Sequence, residues 1–199
     1  MESIKCGMYA LMADTIHPSN APKYLGLALQ SFNNKMFDTA EEKARGLRLS
    51  PEEYYTHGGF EQWKSDKILM VLNGGTTNSE MNKETKLPIG DLNRFILQLG
   101  KFQIETGTYY SPEFGNQLTC VVFLADERVF NKEKYPDFDQ FLLKFQDIID
   151  TFEKDRSYES IVKEITENRS TVYEDWVISI GGKRNEFLRS FLSQFEDYK

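Results

Sequence analysis

Three apolar runs, CGMYALMA (6–13), DKILMVLNGG (66–75) and LTCVVFLA (118–125), constrain the fold of this chain more than any other feature. Each reads as a strand. The second is uninterrupted and closed by Asn73-Gly74-Gly75, which is the pattern of a strand covered on both faces. A fourth segment, FQIETGTYY (102–110), alternates and leads into a Pro112/Gly115 turn, so it reads as a strand antiparallel to its successor. Helical spacing fills the gaps. SNAPKYLGLALQSFNNK opens on Ser19 and Asn20 as caps and places Tyr24, Leu25, Ala28, Leu29 and Phe32 on one face. TAEEKARGL either continues that helix or forms another. PIGDLNRFILQLGKF (88–102) puts Leu92, Phe95, Ile96 and Leu99 at helix spacing, with Gly100 as the stop. The order strand–helix–strand–helix–strand–strand predicts an α/β domain with a four-stranded mixed sheet.

After Asn131 the pattern becomes aromatic and amphipathic. Phe138, Phe141, Leu142, Phe145, Ile148, Ile149 and Phe152 share one stripe, residues 158–168 read as a short helix, and Phe187, Leu188, Phe191, Leu192 and Phe195 repeat the stripe. TVYEDWVISIGG (171–182) between them reads as a short strand or as more helix. Residues 132–199 are therefore expected to be a helical extension packed on the domain, with a homodimer through these helices as the second possibility.

At 40% hydrophobic and 28% charged residues, the 199-residue chain can bury a core without disulfide or metal. Cys6 and Cys120 lie in apolar segments and read as buried thiols, which fits a cytoplasmic protein. No apolar run reaches the ~18 residues of a membrane span. The net charge of −7 argues against a broad basic face for nucleic acid, though not against a local groove. Two histidines, no Cys-x-x-Cys and no phosphate-loop motif leave no expectation of a metal or cofactor. His17 and His57 read as ordinary solvated side chains.

One constellation remains. Glu113, in the turn of SPEFGNQLTCVV (111–122), can accept a proton or orient a polar group, and Thr119 can offer a hydroxyl at the same sheet edge. Lys23, at the start of the first helix, can hold a phosphate or oxyanion. Each also has a structural reading: a turn carboxylate, a strand threonine and a solvated lysine.

The arrangement of PKYLGLALQS, EQWKSDKILMVL and SPEFGNQLTCVV resembles the type-2 peptidyl-tRNA hydrolase family over about residues 5 to 126. VLNGGTTN and LTCVVFLADERVFN are most similar to divergent relatives encoded by phages. The resemblance implies a three-layer form of the α/β domain over residues 1–131, with a peptidyl-tRNA hydrolase-type sheet. It places Lys23 on the family lysine, Thr119 on its threonine and Glu113 on its aspartate. Its glutamine falls on Leu27 and its histidine on Gln30. Glutamine forms hydrogen bonds but does not titrate near neutral pH, so ester hydrolysis is expected to be reduced or absent. Lys23, Glu113 and Thr119 are then the catalytic candidates, with Gln30 and Asn116 as substrate-binding residues. Two functions follow: recognition of a tRNA end or nucleotide in the host cytoplasm, or a non-catalytic module that engages or blocks a host protein.

Overall fold

The computed structural model describes residues 4–78, 80–87, 89–143 and 171–198. The expected helix at 158–168, and Phe145, Ile148, Ile149 and Phe152 of the aromatic stripe, lie outside the described residues. The chain forms two compact units, Met1–Glu127 with Phe191–Lys199, and Arg128–Ser190.

The first unit is built on four strands, β1 (Cys6–Met12), β2 (Ile68–Asn73), β3 (Thr106–Ser111) and β4 (Gln117–Asp126), in the order β2-β1-β4-β3. β1 runs parallel to β2, while β4 is antiparallel to both β1 and β3. The sheet is thus mixed and open, as the alternation of strand and helix signals implies. All of β1 and nine of the ten residues of β4 are buried, which is why these runs are apolar without alternation. β2 departs from expectation. It lies at the edge with only Leu72 buried, and Leu69 is 38% exposed, so its unbroken apolar run does not mean cover on both faces.

Three helices cover the two faces. Helix α1 (Ala21–Ala44) buries Tyr24, Ala28, Phe32 and Met36, a stripe at every fourth position, and TAEEKA continues it. It rests on β3 at Gly107, where a β-carbon would come within 2.5 Å of the Ala28 carbonyl oxygen and 2.6 Å of the Phe32 β-carbon. Gly107 pairs with Val122, which therefore faces α1, and its neighbour Phe123 faces the other way to meet Phe191 at 6.0 Å. Helix α2 (Pro51–Asp66) starts at a complete capping box: the Ser50 hydroxyl accepts from the Glu53 N–H, and the Glu53 carboxylate accepts from the Ser50 N–H. It packs beside α1, with Gly59 over Cys6, and Phe60 meets Phe32 at 5.6 Å. Helix α3 (Asp91–Lys101) buries Leu92 and Leu99 on the opposite face, as its spacing predicts. Both cysteines are buried and in the thiol form, and desolvation pushes Cys120 up to about 12.

The last residues belong to this unit rather than to a separate extension. Phe191 and Phe195 meet Phe95 of α3 edge-on at 5.5 and 4.9 Å. The terminal segment then runs along the free edge of β2: the Asn73 N–H donates to the Glu196 carbonyl at 2.9 Å, the Tyr198 N–H to the Val71 carbonyl at 3.1 Å, and Leu72 pairs with Asp197.

The second unit has its own core of Trp176, Val177 and Ile180, packed with Tyr135, Phe138, Phe141 and Tyr173. Residues 171–179 are helical, which settles the strand-or-helix alternative. That helix ends at Gly181 and Gly182, both left-handed at φ +90° and +96°. Arg189, its side chain 5% exposed, donates to the backbone carbonyls of Arg128, Tyr135 and Pro136 and to the Asp137 carboxylate at 2.8 Å. These contacts lie within the compact unit Arg128–Ser190.

Candidate functional site

The first turn of α1 and the β3–β4 turn meet at one point. Pro112–Phe114 form a single tight turn, and Gly115 and Asn116 follow in left-handed conformation at φ +63° and +59°. The Asn116 N–H closes the reversal onto the Ser111 carbonyl at 2.9 Å. This geometry aims Glu113 at the helix. Lys23 Nζ donates to Glu113 Oε1 at 2.6 Å, and the Tyr24 hydroxyl donates to Oε2 at 2.7 Å. Tyr24 is held in turn by Tyr109 and Phe114, with ring centroids 5.8 and 6.3 Å away. Beside the phenol lies the buried Ser111 hydroxyl, which has no hydrogen-bond partner among the described residues.

The two hydrogen bonds, from Lys23 first and Tyr24 second, hold the Glu113 carboxyl below its ordinary value of 4.5. The same bonds raise Lys23 and, together with burial, raise the Tyr24 phenol. With the carboxyl lowered and the ammonium raised, the pair is fully formed between the two ordinary values, 4.5 and 10.5. It is lost as pH falls through the lowered carboxyl value, or rises through the raised ammonium value. Carbon-detected NMR of the Glu113 carboxyl should give a midpoint below 4.5. A midpoint at or above 4.5 would mean the pair is absent in solution.

This arrangement suits binding better than proton transfer. A carboxylate made more acidic is a weaker base near neutral pH. The lysine keeps two of its three donors for a ligand oxygen, and its side chain is 52% exposed. The other expected residues are not gathered here. Thr119 is fully buried, and its hydroxyl donates to the Tyr109 carbonyl at 3.1 Å. Gln30 is exposed on α1, seven residues beyond Lys23 and so about 10 Å further along the axis on nearly the same side. Asn116 is exposed and serves the left-handed turn. His17 Nδ1 caps the turn before α1 through Ser19, which is a structural role. Tyr24, read from the sequence only as a core aromatic, is the site residue that pattern reasoning missed. Its place beside Lys23 was the available signal.

Among the described residues no group of three His, Cys, Asp or Glu side chains is placed to hold a metal ion. No described helix is long and apolar enough to cross a membrane. The fold and site thus define an α/β protein with a mixed, open four-stranded sheet and an acid–lysine–tyrosine cluster at one end of a helix. The chain matches no family model, no curated protein and no solved structure.

Proposed function

We propose that this chain is a divergent protein of the type-2 peptidyl-tRNA hydrolase kind that binds the end of a tRNA or a nucleotide, with ester hydrolysis reduced or absent. One observation carries the reading. Lys23 and Glu113, 90 positions apart, come together at 2.6 Å where the resemblance calls for a lysine and a carboxylate in one site. Lys23 holds a phosphate or oxyanion with its free donors, Glu113 orients the lysine and accepts from a ligand hydroxyl, and Tyr24 fixes Glu113. Weak hydrolysis follows from Gln30 standing where the family has histidine, from the acidic Glu113, and from the committed Thr119 hydroxyl.

The second reading is a non-catalytic module that engages a host protein. It is favoured by the net charge of −7 and by the second unit with its own aromatic core.

Two assays separate these. Excess protein incubated with N-acetyl-aminoacyl-tRNA should release the blocked amino acid slowly or not at all, and Glu113→Ala should abolish any release. Fluorescence anisotropy of a labelled tRNA acceptor-end mimic should show binding that Lys23→Ala weakens about tenfold, since a charge-assisted contact is worth roughly 1.5 kcal/mol or more. Rapid turnover would overturn the reduced-hydrolysis reading. No binding, or binding indifferent to Lys23, would move the search to protein partners.

A further inference from the structure

A groove of about 510 Å³ opens between the C-terminal half of α1, the first turn of α2 and the segment joining α3 to β3. It shares no residue with the Lys23–Glu113 cluster. Five carboxylates line it: Asp38 and Glu42 from α1, Glu52 and Glu53 from α2, and Glu105 before β3. The single lining cation among the described residues, Lys35, is already engaged, donating to Glu105 at 2.6 Å and to the Thr106 carbonyl at 2.7 Å. Glu53 is held by the capping box. The carboxylates of Asp38, Glu42 and Glu52 have no hydrogen-bond or ion-pair partner among the described residues. The partial positive charge of the α2 N-terminus is answered by Glu52 and Glu53, so the groove remains anionic.

A second, independent observation points to a ligand. Thr56 also lines the groove. It is 2% exposed, and its hydroxyl has no hydrogen-bond partner among the described residues. A helical threonine ordinarily bonds the carbonyl one turn back, and buried hydroxyls left without a partner are uncommon. Beside it the buried Met36 and Ile104 supply apolar surface.

We propose that this groove binds an organic alkylammonium, its charged head among Asp38, Glu42 and Glu52, one N–H on the Thr56 hydroxyl, and its stem on Met36 and Ile104. Carboxylates spread around a wide groove suit a ligand with an extended stem, whereas the described residues offer no three-ligand cluster for a compact metal ion. A free polyamine and the lysine side chain of another protein present this same chemistry.

Isothermal titration of the full chain with spermidine, and separately with a blocked lysine tripeptide, at about 0.15 M salt tests it. One or both should bind at one site per chain. Thr56→Val should weaken that binding about tenfold, as loss of a hydrogen bond to a charged group does. The Asp38→Asn/Glu42→Gln double variant, altered only at exposed positions, should do so by a similar factor and serves if Thr56→Val fails to fold. Tighter spermidine binding would identify a free polyamine, and tighter tripeptide binding a partner's lysine. Absence of binding of either probe up to about 10 mM, a free energy near −3 kcal/mol, would overturn the proposal. So would unchanged affinity in both variants, which would reduce the effect to diffuse attraction by an acidic surface.

Discussion

Replacing Arg189 with leucine should destabilise the 128–190 unit by about 3–5 kcal/mol, the largest effect expected of any single change there. The guanidinium is the shared partner of three backbone carbonyls, those of Arg128, Tyr135 and Pro136, and of the Asp137 carboxylate. Leucine fills part of the space but donates nothing, so the part-buried carbonyl oxygens of Arg128 and Tyr135 lose the guanidinium, while that of Pro136 keeps the Trp176 indole. The Asp137 contact is the smaller part, because that carboxylate is 47% exposed and Lys132 also reaches it at 2.8 Å. The unit has its own reporter in Trp176, whose indole N–H donates to the Pro136 carbonyl that Arg189 also holds. Urea unfolding followed by Trp176 fluorescence, in a Trp63→Phe background, should show the midpoint falling. An unchanged midpoint would mean that solvent replaces the guanidinium at little cost.

Gly107→Ala should cost the first unit about 3 kcal/mol, at the upper end of ordinary overpacking, and should also disturb the candidate site. The new methyl would lie 2.5 Å from the Ala28 carbonyl oxygen and 2.8 Å from the Phe32 nitrogen. Those are backbone atoms, so no side-chain rotation relieves the clash and the helix itself must move off the sheet. Because α1 also carries Lys23 and Tyr24, the displacement should lengthen both hydrogen bonds to Glu113 and return its carboxyl toward 4.5. Thermal unfolding and the Glu113 NMR titration would then change together. Loss of stability with an unaltered titration would show that the cluster does not depend on the seating of α1.

The strands and two of the three helices that cover the sheet were legible in the sequence because each carries one dominant pattern. β1 and β4 are continuous apolar runs, and α3 repeats its leucines at helix spacing. Helix α2 was not read. Its Gly58-Gly59 pair and mixed polar surface suppress the periodic signal, and the reason for Gly59 is tertiary: a β-carbon there would come 3.2 Å from Cys6 Sγ. The Ser50-Pro51-Glu52-Glu53 sequence was a readable start signal nonetheless, since serine three residues before glutamate forms a capping box. The edge position of β2 was hidden for the opposite reason, because its apolar run matches that of a covered strand. At the site, the charges of Lys23 and Glu113 could be paired by inspection. Tyr24 could not be assigned, because its ring belongs to the core and only its hydroxyl belongs to the site.

The terminal segment alongside β2 bears on how the chain is made. The open edge of β2 is met by residues 196–198, more than a hundred positions downstream, and the ring of Phe95 by Phe191 and Phe195. During synthesis the sheet must therefore wait, its N–H and C=O groups facing water, until that stretch leaves the ribosome. Over that interval the nascent chain presents a template to which other strands can add, and the last residues act as its built-in stopper.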